Sequence, residues 1–125
     1  MTQIFIVCEA SADADTVKVL ADRVICEVID WIDPDTLQYS RTWCERSGQS
    51  HLKWTQLKKD WKAHNPHRHV HGKYGGSEKG EHIQARKAII LIFETQPDVD
   101  ALILSRDTDA ISARRKAFED ARACN

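Results

Sequence analysis

QIFIVC, residues 3–8, is a continuous apolar run with the length and β-branched content of a strand buried on both faces. A strand without polar alternation belongs in a parallel sheet covered on both sides. Glu9-Ala10-Ser11-Ala12-Asp13 follows it directly. Val17, Leu20, Ala21, Val24, Ile25 and Val28 then recur at spacings of three and four, which predicts an amphipathic helix capped by Ser11 or Asp13. A second buried strand is predicted at ALIL, residues 101–104, and it runs into Ser105-Arg106-Asp107-Thr108-Asp109.

Between these strands the pattern changes. Residues 30–50, with Asp33-Pro34-Asp35 and Ser47-Gly48-Gln49, read as irregular connection with a short helical turn. Trp54, Leu57 and Trp61 at i, i+3 and i+7, with Lys53, Lys58, Lys59 and Lys62 on other faces, predict a short basic helix whose tryptophans belong to the core. His67, His69 and His71 alternate with Arg68 and Val70, a period of two that predicts a strand, followed by the glycine-rich stretch 72–80. Residues 81–94 are read as helix throughout, stopping near Gln96-Pro97, and SARRKAFEDARA, residues 112–123, as a last helix. The order strand, helix, helix, strand, helix, strand, helix is that of an α/β fold with a mostly parallel sheet flanked by helices. A single domain over 1–125 is expected, with a Trp- and Lys-rich insert at about 30–80.

Composition excludes several classes. With 125 residues, 42% hydrophobic and 30% charged, the chain is neither disordered nor collagenous. Its longest apolar run, residues 88–93, is too short to span a bilayer, and MTQIFIVCEAS lacks the basic start and small-residue cleavage site of a signal peptide. A cytoplasmic protein with no membrane partner is expected. Cys8, Cys26, Cys44 and Cys124 form no CxxC pair and read as thiols. The net charge of −1 divides into −6 over residues 1–40, +7 over 41–90 and −2 over 91–125. A basic centre between acidic ends suits one surface that attracts anions and another that gathers carboxylates.

Both apolar strands end in acids. Ligands of open parallel sheets bind beyond the carboxyl ends of the strands. If the two strands are neighbours, Glu9, Asp13, Asp107 and Asp109 converge on one sheet edge, where their repulsion calls for a cation. An oxygen-only donor set suits Mg²⁺ or Mn²⁺, and a two-metal arrangement activates water and stabilises the leaving oxygen in phosphodiester cleavage. Taken singly, each acid also reads as a helix cap. Lys73, Arg106, Arg114 and Arg115 are the basic residues placed to meet a phosphate backbone, with Arg106 nearest the acidic pair.

Glu9-Ala10-Ser11-Ala12-Asp13 after IFIVC, with Asp107-Thr108-Asp109 after ALILS, resembles the TOPRIM fold of topoisomerases, bacterial primases and the overcoming-lysogenization-defect nucleases. The resemblance covers the two motif regions and the element order, and not the Trp-rich insert. It implies that Glu9 serves as acid/base or metal ligand and that Asp107 and Asp109 hold Mg²⁺. The acid at Asp13 is similar to the nuclease-like branch. The implied activity is metal-dependent cleavage of DNA or RNA, in that branch often beside an ATPase partner in antiviral defence. Two departures stand out: Ala10 replaces the usual Gly, and the chain ends at Asn125, where the family normally continues into another strand and helix. A version lacking the final strand is therefore expected. Its alternative function is that of a catalytically silent TOPRIM-like subunit assembling with an ATPase or nuclease partner, and a homo-oligomer is a further option, because an uncovered sheet edge invites pairing.

Three rivals carry less. His64, His67, His69 and His71 are dense enough to suggest zinc, without cysteines at finger spacing. Cys8 as nucleophile conflicts with its place inside a buried strand. A response-regulator receiver shares the early acids and lacks a late-strand lysine.

Overall fold

The computed structural model describes residues 1–69, 78–106 and 122. The fold is α/β. Its elements are β1 (Thr2–Cys8), α1 (Ser11–Val28), β2 (Arg41–Trp43), β3 (His51–Lys53), α2 (Trp54–His64), α3 (Glu78–Thr95) and β4 (Ala101–Leu104), with a 3₁₀ turn at Leu37–Tyr39. The chain forms two compact units, Met1–Lys53 with Asp98–Ser105, and Trp54–Pro97 with Arg106–Asn125. The Trp- and Lys-rich stretch is thus divided between them at Lys53.

The first unit is built around β1, and every pairing it makes is parallel. Ile4 to Val7 stand opposite Ala101 to Leu104 of β4. Thr2 to Ile4 pair with β2, and Ile6 to Cys8 with β3. Because Ile4, Ile6 and Val7 already have β4 on one side, β2 and β3 must share the other side of β1. They amount to one edge strand interrupted by a hairpin. At its tip Arg46 and Gln49 exchange backbone hydrogen bonds of 2.7 and 3.1 Å, while Ser47 and Gly48 take φ of 53° and 80°. Positive φ at both central residues marks the type I′ turn that suits a two-residue hairpin, and the glycine relieves half of its strain. β2 therefore lies where irregular connection is predicted, and β3 lies just past it and takes in Lys53, which the helical spacing places on α2. Three-residue strands are too brief to leave a periodic pattern, and their partner is remote in sequence.

β1 is buried on both faces, as its unbroken apolar run requires. Ile6 and Cys8 pack with Ala14 and Val17 of α1, with Trp43 and with Ile103. Phe5 and Val7 face the other way and are also fully buried. The α1 helix starts at Ala10, whose backbone N–H donates to the Asp13 carboxylate at 3.1 Å. Arg41 grips Asp22 of α1 with two guanidinium hydrogen bonds of 2.7 and 2.8 Å and lies over the Trp43 ring, which ties the start of β2 to the helix.

In the second unit α2 packs against α3. Trp54, Leu57 and Trp61 are buried, so the tryptophans are core, as their spacing predicts. Ala85, Ala88, Leu91 and Ile92 form the buried stripe of α3, which is helical throughout. Arg68 donates to Glu94 at 2.8 Å and, with Lys87, stands over the Trp61 ring. The strand predicted from His67 is not present in the described part: Asn65 accepts a turn hydrogen bond from Arg68, and residues 67–69 are exposed and irregular. A period of two carried by histidine and arginine has no apolar face to bury, and Pro66 ends α2 just before it. The helix predicted at 112–123 and the stretch 70–77 lie outside the described residues, apart from helical Arg122. No helix among the described residues is long and apolar enough to cross a membrane.

Candidate functional site

Among the described residues, the carboxyl edge of the first unit's sheet carries Glu9, Ser11, Asp13, His51 and Lys53. β1 delivers Glu9 to this edge as an exposed residue in the bend after Cys8. One turn on, Asp13 is tied to the Ala10 N–H, so it acts as the helix cap that its position also allowed. On the other flank, β4 stays paired to its end: Leu104 stands opposite Val7, and Ser105 donates its N–H to the Val7 carbonyl at 2.8 Å. The condition set by the sequence, that the two apolar strands be parallel neighbours, is met.

Asp107 and Asp109, which follow this end of β4, lie outside the described residues, as do Lys73, Arg114 and Arg115. Arg106 is described within the second unit. Its guanidinium donates to the Gln84 carboxamide oxygen and stacks over Trp54 at 5.2 Å from the ring centre. Among the described residues no three His, Cys, Asp or Glu side chains are gathered as a metal group. His67 and His69 are exposed in the irregular segment after α2, and His71 lies outside the described residues.

Sequence reasoning missed what β3 contributes. His51 and Lys53 pair with Ile6 and Cys8, so they share the face that carries α1. His51 Nε2 lies 3.3 Å from Ser11 Oγ in the first turn of α1. An imidazole, a hydroxyl and an ammonium group thus stand on the same edge as Glu9 and Asp13. The only local signal was the dipeptide pattern of His51 and Lys53 flanking Leu52, unreadable without the pairing to β1.

Cys8 is buried, and its thiol donates to the Ala10 carbonyl at 3.2 Å. Burial first, then the negative charge of Asp13, pushes its pKa up. Cys44 is raised as well, by burial and then by Asp100 and Asp98. Neither is an activated nucleophile. The linkage has a definite sign: the folded thiols resist ionisation at a pH where the unfolded chain ionises. Their stabilisation is complete below about pH 8.5 and is lost as pH rises through the raised folded values. Urea midpoints measured from pH 8 to pH 10 should fall, and Cys8→Ala should show a shallower fall than wild type; parallel curves would exclude the thiol as a source.

An open groove of about 770 Å³ lies in this unit between α1 and the segment from Pro34 to Arg41, with Asp22, Arg23, Cys26, Glu27 and Asp35 among its walls. It adjoins the start of β2 and hence the opposite, amino edge of the sheet. The Arg41–Asp22 ion pair within it accounts for its most buried charges. Comparison of the chain with protein-family models, with curated proteins and with solved structures finds no match in any of the three.

Proposed function

We propose that the chain is a divalent-metal-dependent nucleic-acid phosphodiesterase of TOPRIM type, with Glu9, Asp13, Asp107 and Asp109 as its carboxylates. One observation carries the reading. β1 and β4 are adjacent and parallel in the register Ile4–Ala101 to Val7–Leu104, so the strand ends that precede the two acidic motifs, far apart in sequence, lie at the same edge of the sheet.

The donor chemistry fits a hard cation: Glu9 is exposed at this edge, and the nearby Cys8 thiol is buried and bonded to a backbone carbonyl. Bound Mg²⁺ or Mn²⁺ supplies charge neutralisation and a lowered pKa for water. Glu9 takes the proton of the attacking water, whose oxygen forms the new bond to phosphorus while the bond to the leaving oxygen breaks with its electron pair. His51, steadied by Ser11, and Lys53 stand on the α1 face of this edge to hold phosphate oxygens. Lys73, Arg106, Arg114 and Arg115 supply the basic track for the strand, and an effector role in antiviral defence belongs to the same reading. The bond between Asp13 and the Ala10 N–H favours a second one, a catalytically silent subunit that assembles with an ATPase or nuclease partner.

Titration calorimetry separates the two. Mg²⁺ and Mn²⁺ should bind wild type and fail to bind a Glu9→Ala/Asp107→Ala double variant that retains its circular dichroism. Absence of binding to wild type would sink the metal-dependent reading and favour the silent subunit.

A further inference from the structure

The α1 helix exposes much of the apolar face that its sequence pattern marks for burial. Only Ala14 is fully buried on it. Leu20 is 52% exposed, Val24 54% and Val28 73%, and Trp31, in the turn just past the helix, is 82% exposed. Leu20, Val24 and Val28 recur every four residues, so they form one continuous stripe along the helix, with Trp31 following in the turn beyond its end. Isolated exposed apolar residues are ordinary, but a contiguous rimmed stripe marks an interaction surface.

Charge identifies the occupant. Arg23 and Glu27 lie side by side on one flank of the stripe, both exposed. Among the described residues neither has a hydrogen bond or ion pair, although they are spaced four apart. The opposite flank, Ala21 and Ile25, carries no charge. A parallel pair of such helices sets the charged flank of one against the uncharged flank of the other. An antiparallel pair related by a two-fold axis sets like flanks together. With the axis at Val24, Leu20 meets Val28 of the second copy, and Val24 meets itself. Arg23 then lies about 3 Å along the axis from Glu27 of the second copy, at 1.5 Å rise per residue, and this pair occurs twice by symmetry against one Arg23–Arg23 approach at the same spacing, so attraction outnumbers repulsion.

From this self-complementarity we infer that α1 is a homodimerisation helix, pairing antiparallel with the α1 of a second copy about Val24. The helix has 18 residues and so is about 27 Å long. A single helix pair of that length falls below the area of about 800 Å² per partner typical of stable complexes, so the dimer is concentration-dependent. The inference does not depend on the proposed catalytic reading.

Sedimentation equilibrium of the full chain from about 5 to 500 μM tests it. Wild type should pass from monomer to dimer across this range. Val24→Asp, an exposed substitution, should stay monomeric with unchanged circular dichroism, and Arg23→Glu should weaken association about tenfold or more. The double variant Arg23→Glu/Glu27→Arg should restore it to within about threefold, because each copy then carries the inverted pair. A wild type that stays monomeric at every concentration overturns the inference, as does a folded Val24→Asp that still dimerises. Failure of the double variant to recover overturns it too, because a different partner's surface would not be inverted with it. Val24→Cys adds a direct readout: oxidation should yield a cross-linked dimer, and its absence where wild type associates overturns the register.

Discussion

On the proposed reading, Glu9→Gln should lower metal-dependent cleavage of single- or double-stranded nucleic acid by about a hundredfold or more while leaving the melting temperature nearly unchanged. The magnitude follows from comparison with outer-sphere partners of metal ligands, whose loss alone costs about 10- to 100-fold. A direct carboxylate should cost at least as much. The fold is spared because Glu9 lies exposed in the bend after β1, outside the packed part of the strand. Asp107→Ala should give a fall of similar size. The double variant should be little worse than either single one, since groups that act as a unit are not additive. The measurement is the initial rate with Mg²⁺ and with Mn²⁺, beside a thermal melt of each variant. Cleavage unchanged in both single variants would remove the carboxyl edge from the mechanism, whatever the titrations had shown.

Phe5→Ala destabilises the protein by about 3–5 kcal/mol, the range for truncating a buried aromatic ring. Phe5 is fully buried at the middle of β1, the strand that every other strand of the sheet pairs with. β4 fixes its backbone on one side, opposite Leu102, and β2 and β3 hold its neighbours Ile4 and Ile6 on the other, so the cavity cannot close by a local shift. Against a typical total of about 5–15 kcal/mol, such a loss leaves a marginal fold. Tyr39→Ala, at a side chain 71% exposed, is the control and should cost less than about 0.5 kcal/mol. Urea denaturation of both variants is the check; a cost below about 1 kcal/mol for Phe5→Ala would contradict the two-sided burial of β1.

The acids show how far a candidate site can be read before the fold is known. Glu9 and the Asp107-Asp109 pair were visible because each follows an apolar run. His51 and Lys53 were not, because a three-residue strand carries no periodic signal. Their place on the edge exists only through pairing with Ile6 and Cys8, more than 40 residues away. The histidine alternation from His67 misled for the converse reason: its period matched a strand, but it offered no apolar face for another strand to cover.

Local chemistry was enough to specify β1, β4, α1 and α2 with its tryptophan core, whereas the apolar run at 88–93 of α3 suited a buried helix end or a strand. Runs of Ile, Val and Leu and spacings of three and four act within one element and need no distant partner. Long-range contacts alone made β1 the central strand with β4 beside it, split the opposite edge around a hairpin, and chose which part of α1's wide apolar arc is covered. Register and burial are properties of two surfaces in contact, and a pattern along one segment describes only its own half of that contact.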